Sequence, residues 1–197
     1  MLIKKILILS DTHGDETQYV KIIEKTKPDR VLHAGDFYDT KNPDIIFNQK
    51  KFLKYVDYFV DGNHGLKHNK WKQYKKIDND TDKSIFYFDN LINDYQVFTI
   101  NQKKFLLIHI FKAAHDDFWL TSKWDEYKEK VNAIIERYKV DYVVFGHTHK
   151  AEIIQKNNFL ALNPGSLTRP ELQPTGSYII GKWINNSFVF KIKYLKK

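Results

Sequence analysis

The chain of 197 residues contains no cysteine and no long apolar run. Without cysteine it can form neither a disulfide framework nor a thiolate zinc site, and this absence fits a reducing compartment. No stretch reaches the ~18–20 apolar residues of a membrane span. The apolar run at residues 6–9 is too short for a signal peptide and lacks a small-residue cleavage site. We therefore expect a cytoplasmic protein that makes no membrane contact.

The composition is that of a folded chain with a basic surface. Apolar residues make up 42% and aromatic residues 15%, which is enough for a substantial core. The length predicts one domain over residues 1–197. The net charge is +8, from 32 Lys+Arg against 24 Asp+Glu. The lysines are spread out, so we favour a solvated surface over a nucleic-acid partner, which stays possible. The sequence leaves the oligomeric state open.

Five groups of metal-type ligands each follow a strand-like run of residues. The runs are residues 6–9, 30–34, 58–60, 105–108 and 142–145. The groups that follow them are Asp11-Thr12-His13, Gly35-Asp36, Gly62-Asn63-His64, His109 and Gly146-His147-Thr148-His149. Open sheets place their sites in the crevice beyond the carboxyl ends of the strands. In extended chain, the spacing of Asp11 and His13 puts both side chains on one side.

These residue types favour a metal site when they are taken together. Imidazole, carboxylate and amide oxygen suit Mn, Fe, Zn or Ni. Each group alone has a simpler interpretation: Asp-X-His and Gly-Asp are common in turns, and His109 alone is typical of a core histidine. Their joint occurrence behind strands instead predicts a two-metal hydrolytic site.

The remaining pattern predicts a layered α/β domain. Asp15 with Gln18 resembles a capping box at the start of a helix. Ser122 is a candidate cap for a second helix. The core-facing stripe of that helix would contain Trp124, Tyr127, Val131, Ile134 and Tyr138. Residues 65–83 are interpreted as a loop, residues 85–88 and 97–100 as strands, and Asn157-Asn158 and Asn185-Asn186 as hairpin turns.

The ligand groups resemble those of the calcineurin-like metallophosphoesterase superfamily, and the length is similar to its small single-domain phosphodiesterase branch. The resemblance covers residues 11–166 and includes the Asn163-Pro164-Gly165-Ser166 turn. It implies an αββα sandwich of two packed mixed β-sheets flanked by helices. It also implies two divalent metal ions. One would be held by Asp11, His13, Asp36 and His149, and the other by Asp36, Asn63, His109 and His147. Asp36 would bridge the two ions.

The same resemblance implies a metal-dependent phosphodiesterase that acts on a small or exposed phosphodiester. A hydroxide bridging the two ions, with manganese the favoured metal, would attack phosphorus. His64 would be the catalytic histidine near the scissile phosphate. A phosphomonoesterase or a nuclease could use the same metals. A non-catalytic scaffold of retromer-subunit type is a further alternative, because Gly65 and the Ile110-Phe111 pair depart from the usual motifs of the branch.

Overall fold

The structure, a computed structural model, describes residues 2–38, 48–62, 95–111 and 122–196. The described strands are β1 (Lys5–Leu9), β2 (Arg30–His33), β3 (Tyr58–Phe59), β4 (Tyr95–Ile100), β5 (Lys103–Ile108), β6 (Tyr142–Val144), β7 (Ala151–Gln155), β8 (Leu160–Pro164), β9 (Ser177–Ile184) and β10 (Ser187–Tyr194). The described helices are α1 (Glu16–Thr26), α2 (Gln49–Tyr55) and α3 (Ser122–Tyr138). The loop predicted at residues 65–83 and the strand predicted at residues 85–88 lie outside these ranges.

The strands form two mixed five-stranded sheets, which confirms the predicted α/β architecture. The first sheet has the order β10-β9-β1-β2-β3, and the second has the order β4-β5-β6-β8-β7. Strands β1, β2 and β3 run parallel to one another, as do β5, β6 and β8. The antiparallel pairs are the hairpins β9–β10, β4–β5 and β7–β8 and the pairing of β1 with β9. The carboxyl ends of β1, β2, β5 and β6 are the ends that carry the candidate ligands.

The apolar side chains of β1 alternate between two layers of the core. Ile6 and Ile8 are fully buried in the cluster shared by the two sheets. Leu7 and Leu9 point the other way, into the cluster with Tyr19 of α1. This alternation follows from the two-residue period of a strand that is covered on both faces. A strand covered on both faces requires a layer on each side, here the second sheet and the α1–α2 layer.

The second sheet is covered on its outer face by α3. Val131, Ile134 and Ile135 of α3 are buried with Leu106 and Val143 of the sheet. The described helices therefore flank both sheets. None of the three combines the length and the apolar character that crossing a membrane would require.

The Asp15 cap and the two predicted hairpin turns are present. The side chains of Ser122, Trp124 and Tyr127 lie outside the described residues. The Asp15 side chain accepts a hydrogen bond of 3.1 Å from the Gln18 amide at the start of α1. Asn185 and Asn186 have φ values of 50° and 60°, as a two-residue type I′ hairpin requires. The predicted stripe on α3 was wrong at Tyr138, which is 37% exposed. Tyr138 lies in the last turn of the helix, and Ile135 occupies the core position instead.

Candidate metal centre

Backbone hydrogen bonds join the segments that follow β1 and β2. The Asp11 amide donates to the Gly35 carbonyl at 3.0 Å, and the His13 amide donates to the Asp36 carbonyl at 2.9 Å. A third bond, from the His147 amide to Asp11 Oδ2 at 3.1 Å, connects the first sheet to the second. The candidate ligands of both sheets are thus placed by the main chain.

Five of the candidate ligands form two overlapping clusters. The first contains Asp11, His13 and His149, and the second contains Asp11, Asp36 and His109. Within each cluster, one potential ligand atom from every residue lies within 4.8 Å of the others. Asp11 is 0% exposed and Asp36 is 1% exposed. Two buried carboxylates require nearby positive charge, because an unpaired buried charge is costly.

The backbone at most of these residues is left-handed. Asp11, His13, Asp36, His147 and His149 have φ values of 52°, 44°, 50°, 70° and 56°. Positive φ is uncommon outside glycine, and it costs roughly 1–3 kcal/mol at a residue held there by its surroundings. A left-handed residue turns the chain sharply just after the strand ends. The ligand side chains therefore occupy a turn that the flanking hydrogen bonds hold in place.

His109 has its ring orientation fixed by its second nitrogen. Nδ1 donates to the Ala34 carbonyl at 2.7 Å, and Nε2 lies 3.3 Å from Asp36 Oδ2. Burial alone would lower the pKa of His109, but the hydrogen bond and the charge of Asp36 outweigh it and raise the pKa to about 9. This orientation points Nε2 toward Asp36, another member of the second cluster. A carbonyl partner on the other nitrogen is the usual support of a metal-binding histidine.

His13 and His149 meet at the first cluster. Their Nε2 atoms lie 3.3 Å apart, and His149 Nε2 lies 3.3 Å from Asp11 Oδ1. Burial lowers the pKa of His13 to about 4, and the charges of Arg169 and His149 act in the same direction. Burial would also lower the pKa of His149, but the hydrogen bond and charge of Asp11 and a backbone hydrogen bond with Arg169 raise it. Two ring nitrogens and a carboxylate oxygen thus converge on one point.

Three predicted site residues, His147, Asn63 and His64, are not among the described members of either cluster. The His147 ring lies beside that of His109, with ring centroids 5.4 Å apart, and its pKa is lowered by burial and by the charge of His109. Part of His147 nevertheless reaches solvent. It lies beside the second cluster but is not one of its members. Asn63 and His64 lie outside the described residues.

The donor set fits divalent metal ions. Each cluster combines buried carboxylate and imidazole, which is the mixture preferred by Mn, Fe, Zn and Ni. Burial would raise the pKa of Asp11, but the hydrogen bond of His149 and the positive charge of His109 lower it. The carboxylate is therefore held in the ionised form that metal binding needs.

Two glycines allow the close approach of the segments that carry the ligands. A β-carbon at Gly146 would overlap Ser10 Oγ and come within 2.6 Å of Asp11 Oδ2. A β-carbon at Gly62 would overlap Asp36 Oδ1. Any side chain at these positions would displace a candidate ligand, so the sequence requires glycine next to the site for steric reasons.

Two supporting groups were not predicted from the sequence. Ser166 Oγ donates to the Asp11 carbonyl at 2.8 Å. Thr12, between two candidate ligands, pairs its Oγ1 with His33 Nε2 at 3.0 Å. The Asn163-Pro164-Gly165-Ser166 turn was the sequence signal that pointed to Ser166. His33 carries no pattern that distinguishes it from an ordinary core histidine.

Comparison with known proteins identifies the family. Residues 5–185 match the sequence profile of the calcineurin-like phosphoesterase superfamily domain. The chain belongs to this superfamily. Members of the calcineurin-like phosphoesterase superfamily use divalent metal ions, in agreement with the two clusters of candidate ligands.

Similar proteins match most of the chain. A probable metallophosphoesterase of Mycoplasma genitalium is 29% identical over 88% of this chain and 84% of its own length. A protein of Methanocaldococcus jannaschii named phosphodiesterase MJ0936 is 25% identical over 82% of each chain. A predicted phosphoesterase of Streptococcus pneumoniae has the same fold, with a TM-score of 0.64, 18% identity and coverage of 98% of this chain and 91% of its own.

Proposed function

We propose that the chain is a metal-dependent phosphodiesterase acting on a small or exposed phosphodiester. The observation that carries the proposal is the pair of overlapping Asp–His clusters at the carboxyl ends of the strands. The name of the archaeal relative, a phosphodiesterase, supports the same reaction. Two divalent ions, with manganese favoured, would supply a nucleophile derived from water at neutral pH and would offset charge on the phosphoryl oxygens.

We assign the first ion to Asp11, His13 and His149, and the second to Asp36 and His109 with His147 and Asn63. The resemblance makes Asp36 the carboxylate shared by both ions. In the structure the residue common to both clusters is Asp11. Both carboxylates are therefore candidates for the bridging role, and substitution of each should distinguish them. Loss of the bridging carboxylate should remove both ions, because it is a ligand of each.

The proposed actions of the protein groups follow from their positions. The Ala34 carbonyl holds the His109 ring with Nε2 toward Asp36, and the His147 amide holds Asp11 Oδ2. These bonds orient ligands without moving a proton. His64 is the proposed catalytic group that would donate a hydrogen bond to the phosphate or a proton to the leaving oxygen. His64→Ala should retain metal and lower turnover.

The test is hydrolysis of bis-p-nitrophenyl phosphate against p-nitrophenyl phosphate, with Mn²⁺ and after chelation. Asp11→Asn, Asp36→Asn and His64→Ala would be measured beside Glu24→Gln, a matched loss of one acidic charge on the exposed face of α1. We expect metal-dependent cleavage of the diester. The rate should fall to the rate measured after chelation in the variant that lacks the bridging carboxylate, and it should be unchanged in Glu24→Gln. Metal content would be measured on every variant.

The other outcomes separate the alternatives. Faster cleavage of the monoester would favour a phosphomonoesterase. Metal-dependent cleavage of nucleic acid, with binding that weakens steeply as salt rises, would favour a nuclease. Two bound metals without turnover on either compound would indicate a narrower substrate. A protein that shows neither metal binding nor turnover would contradict the enzymatic assignment and favour the scaffold.

A further inference from the structure

The segment after β8 is bound to the first candidate ligand. Ser166 Oγ donates to the Asp11 carbonyl at 2.8 Å and accepts from the Thr168 and Arg169 amides at 3.2 and 2.8 Å. One hydroxyl therefore connects the Asp11 backbone to the backbone of Arg169. Burial of Ser166, which is 0% exposed, keeps water from competing for these bonds. The position of Arg169 relative to Asp11 is thus defined by hydrogen bonds.

The same segment also contacts His149. The Arg169 backbone hydrogen-bonds the His149 ring, and the Glu171 amide donates to the His149 carbonyl at 3.1 Å. The positive charge of Arg169 is felt at His13, where it contributes to the lowered pKa. The main chain and the charge of Arg169 therefore both lie at the first cluster, on the side of its two histidines.

In the described part of the chain, this side of the centre reaches solvent. Asp11, Asp36 and His109 are buried, whereas the His149 side chain is 19% exposed and Arg169 is exposed. The exposed edge of His149 is therefore one route by which an anion from solvent reaches the first cluster. The backbone of Arg169 lies next to that edge, and its positive charge acts on the same side of the centre.

Arginine is rare in this chain, and this position is one of few that have it. The chain has 32 Lys+Arg, of which only Arg30, Arg137 and Arg169 are arginine. Arg30 lies 3.6 Å from Asp57, and Arg137 lies over the Tyr138 ring at the end of α3. Lysine supplies the rest of the positive surface. A planar guanidinium binds two phosphate oxygens at once, which the lysine ammonium cannot do in the same geometry.

We propose that Arg169 binds non-bridging oxygens of the substrate phosphate at the entrance of the metal centre. This inference rests on the proposed function, because it assumes that a phosphate group is the ligand. Arg169 thereby acts as a binding residue that positions the phosphorus over the two candidate metal positions. It adds to the centre a guanidinium, a group that none of the predicted ligands supplies.

The direct test is binding of inorganic phosphate to the Mn²⁺-loaded protein, measured by calorimetry without any turnover. Arg169→Ala should weaken phosphate binding about tenfold or more, since a hydrogen bond to a charged group is worth roughly 1.5–3 kcal/mol. Arg169→Lys should restore part of the loss. Arg30→Ala is the matched control: it removes the same charge at the amino end of β2, the opposite end from the ligands, and should bind phosphate like the wild type.

Metal content and thermal unfolding of each variant separate phosphate binding from damage to the site. If Arg169→Ala does not fold, Arg169→Lys and Arg169→Gln provide the comparison. Equal phosphate affinity in the wild type and the Arg169 variants, at equal metal content, would overturn the proposal. So would a wild-type protein that carries metal and binds no phosphate.

Kinetics distinguish this proposal from the proposed function. With an active wild type, Arg169→Ala should raise KM for the diester more than it lowers kcat, because the group binds the phosphate in the ground state as well. A wild type that binds phosphate through Arg169 but hydrolyses neither nitrophenyl ester would leave the binding role intact and contradict only the enzymatic assignment.

Discussion

His33 should make the metal-free protein sensitive to mild acid. Its ring is 0% exposed, packs against the Phe37 and Phe52 rings, and pairs with Thr12 Oγ1 at 3.0 Å. Its Nδ1 has no hydrogen-bond partner in the described part of the chain. Burial lowers the pKa of His33 from 6.5 to about 3. Below pH 6.5 the unfolded chain therefore takes up a proton that the folded chain does not.

The size of the effect follows from linkage. A folded pKa below the unfolded value means that stability is fully present above about pH 6.5 and is lost as the pH falls toward the folded pKa. With an unfolded pKa of about 6.5, the loss at about pH 5 is about 2 kcal/mol for one histidine. Because the folded pKa of His33 lies well below pH 5, its exact value hardly changes this figure.

The assay is urea unfolding of the chelated protein at about pH 7.5 and about pH 5. His33→Gln should lose about 2 kcal/mol less than the wild type between these two pH values, whatever its absolute stability. Thr12→Val is the control, because it removes the same hydrogen bond but retains the imidazole, and it should retain the acid sensitivity of the wild type. An equal loss in His33→Gln and the wild type would refute the assignment of a neutral, buried His33.

Two further substitutions test local geometry. Gly146→Ala should weaken metal binding by about 10–100-fold, because its β-carbon would overlap Ser10 Oγ and press on Asp11; unchanged affinity in a metal titration would contradict the steric argument. Lys27→Gly should stabilise the chain by about 1 kcal/mol, because Lys27 ends α1 at φ 45°, while the mid-helix control Lys21→Gly should destabilise it by a similar amount. Thermal unfolding should show shifts of roughly 2–4 °C in opposite directions, and shifts of the same sign would count against the left-handed cap.

Local sequence patterns predicted part of the fold and part of the candidate site. Apolar runs predicted the strands, and the residues just after each run predicted where Asp11, Asp36 and His109 would lie. This succeeds because parallel strands bring their carboxyl ends to one edge of the sheet. Residues that directly follow such strands therefore lie close together in space. The Asp15 cap and the Asn185-Asn186 turn were also predictable, since both depend on residues a few positions apart.

The rest depends on contacts between distant segments. The Ser166–Asp11 hydrogen bond joins residues 155 positions apart, and no local periodicity encodes it. The neighbourhood of Arg169 and His149 likewise arises only when the segment after β8 packs against the end of β6. At Tyr138 the sequence predicted a buried position that the structure shows to be partly exposed. Helical spacing predicts a buried face but does not indicate where the covering sheet ends.

The position of β1 in its sheet has a consequence for how the protein is made. Strand β1 lies between β2 and β9, so the first strand of the chain pairs with one whose residues are about 170 positions later. Contacts of such long range form slowly, and a ribosome-bound chain cannot form them until β9 has emerged. The carbonyl of Asp11 likewise gains its Ser166 partner only after 155 further residues have been synthesised. A chain that stalls before this segment therefore lacks both the β9 partner of β1 and the Ser166 support of Asp11.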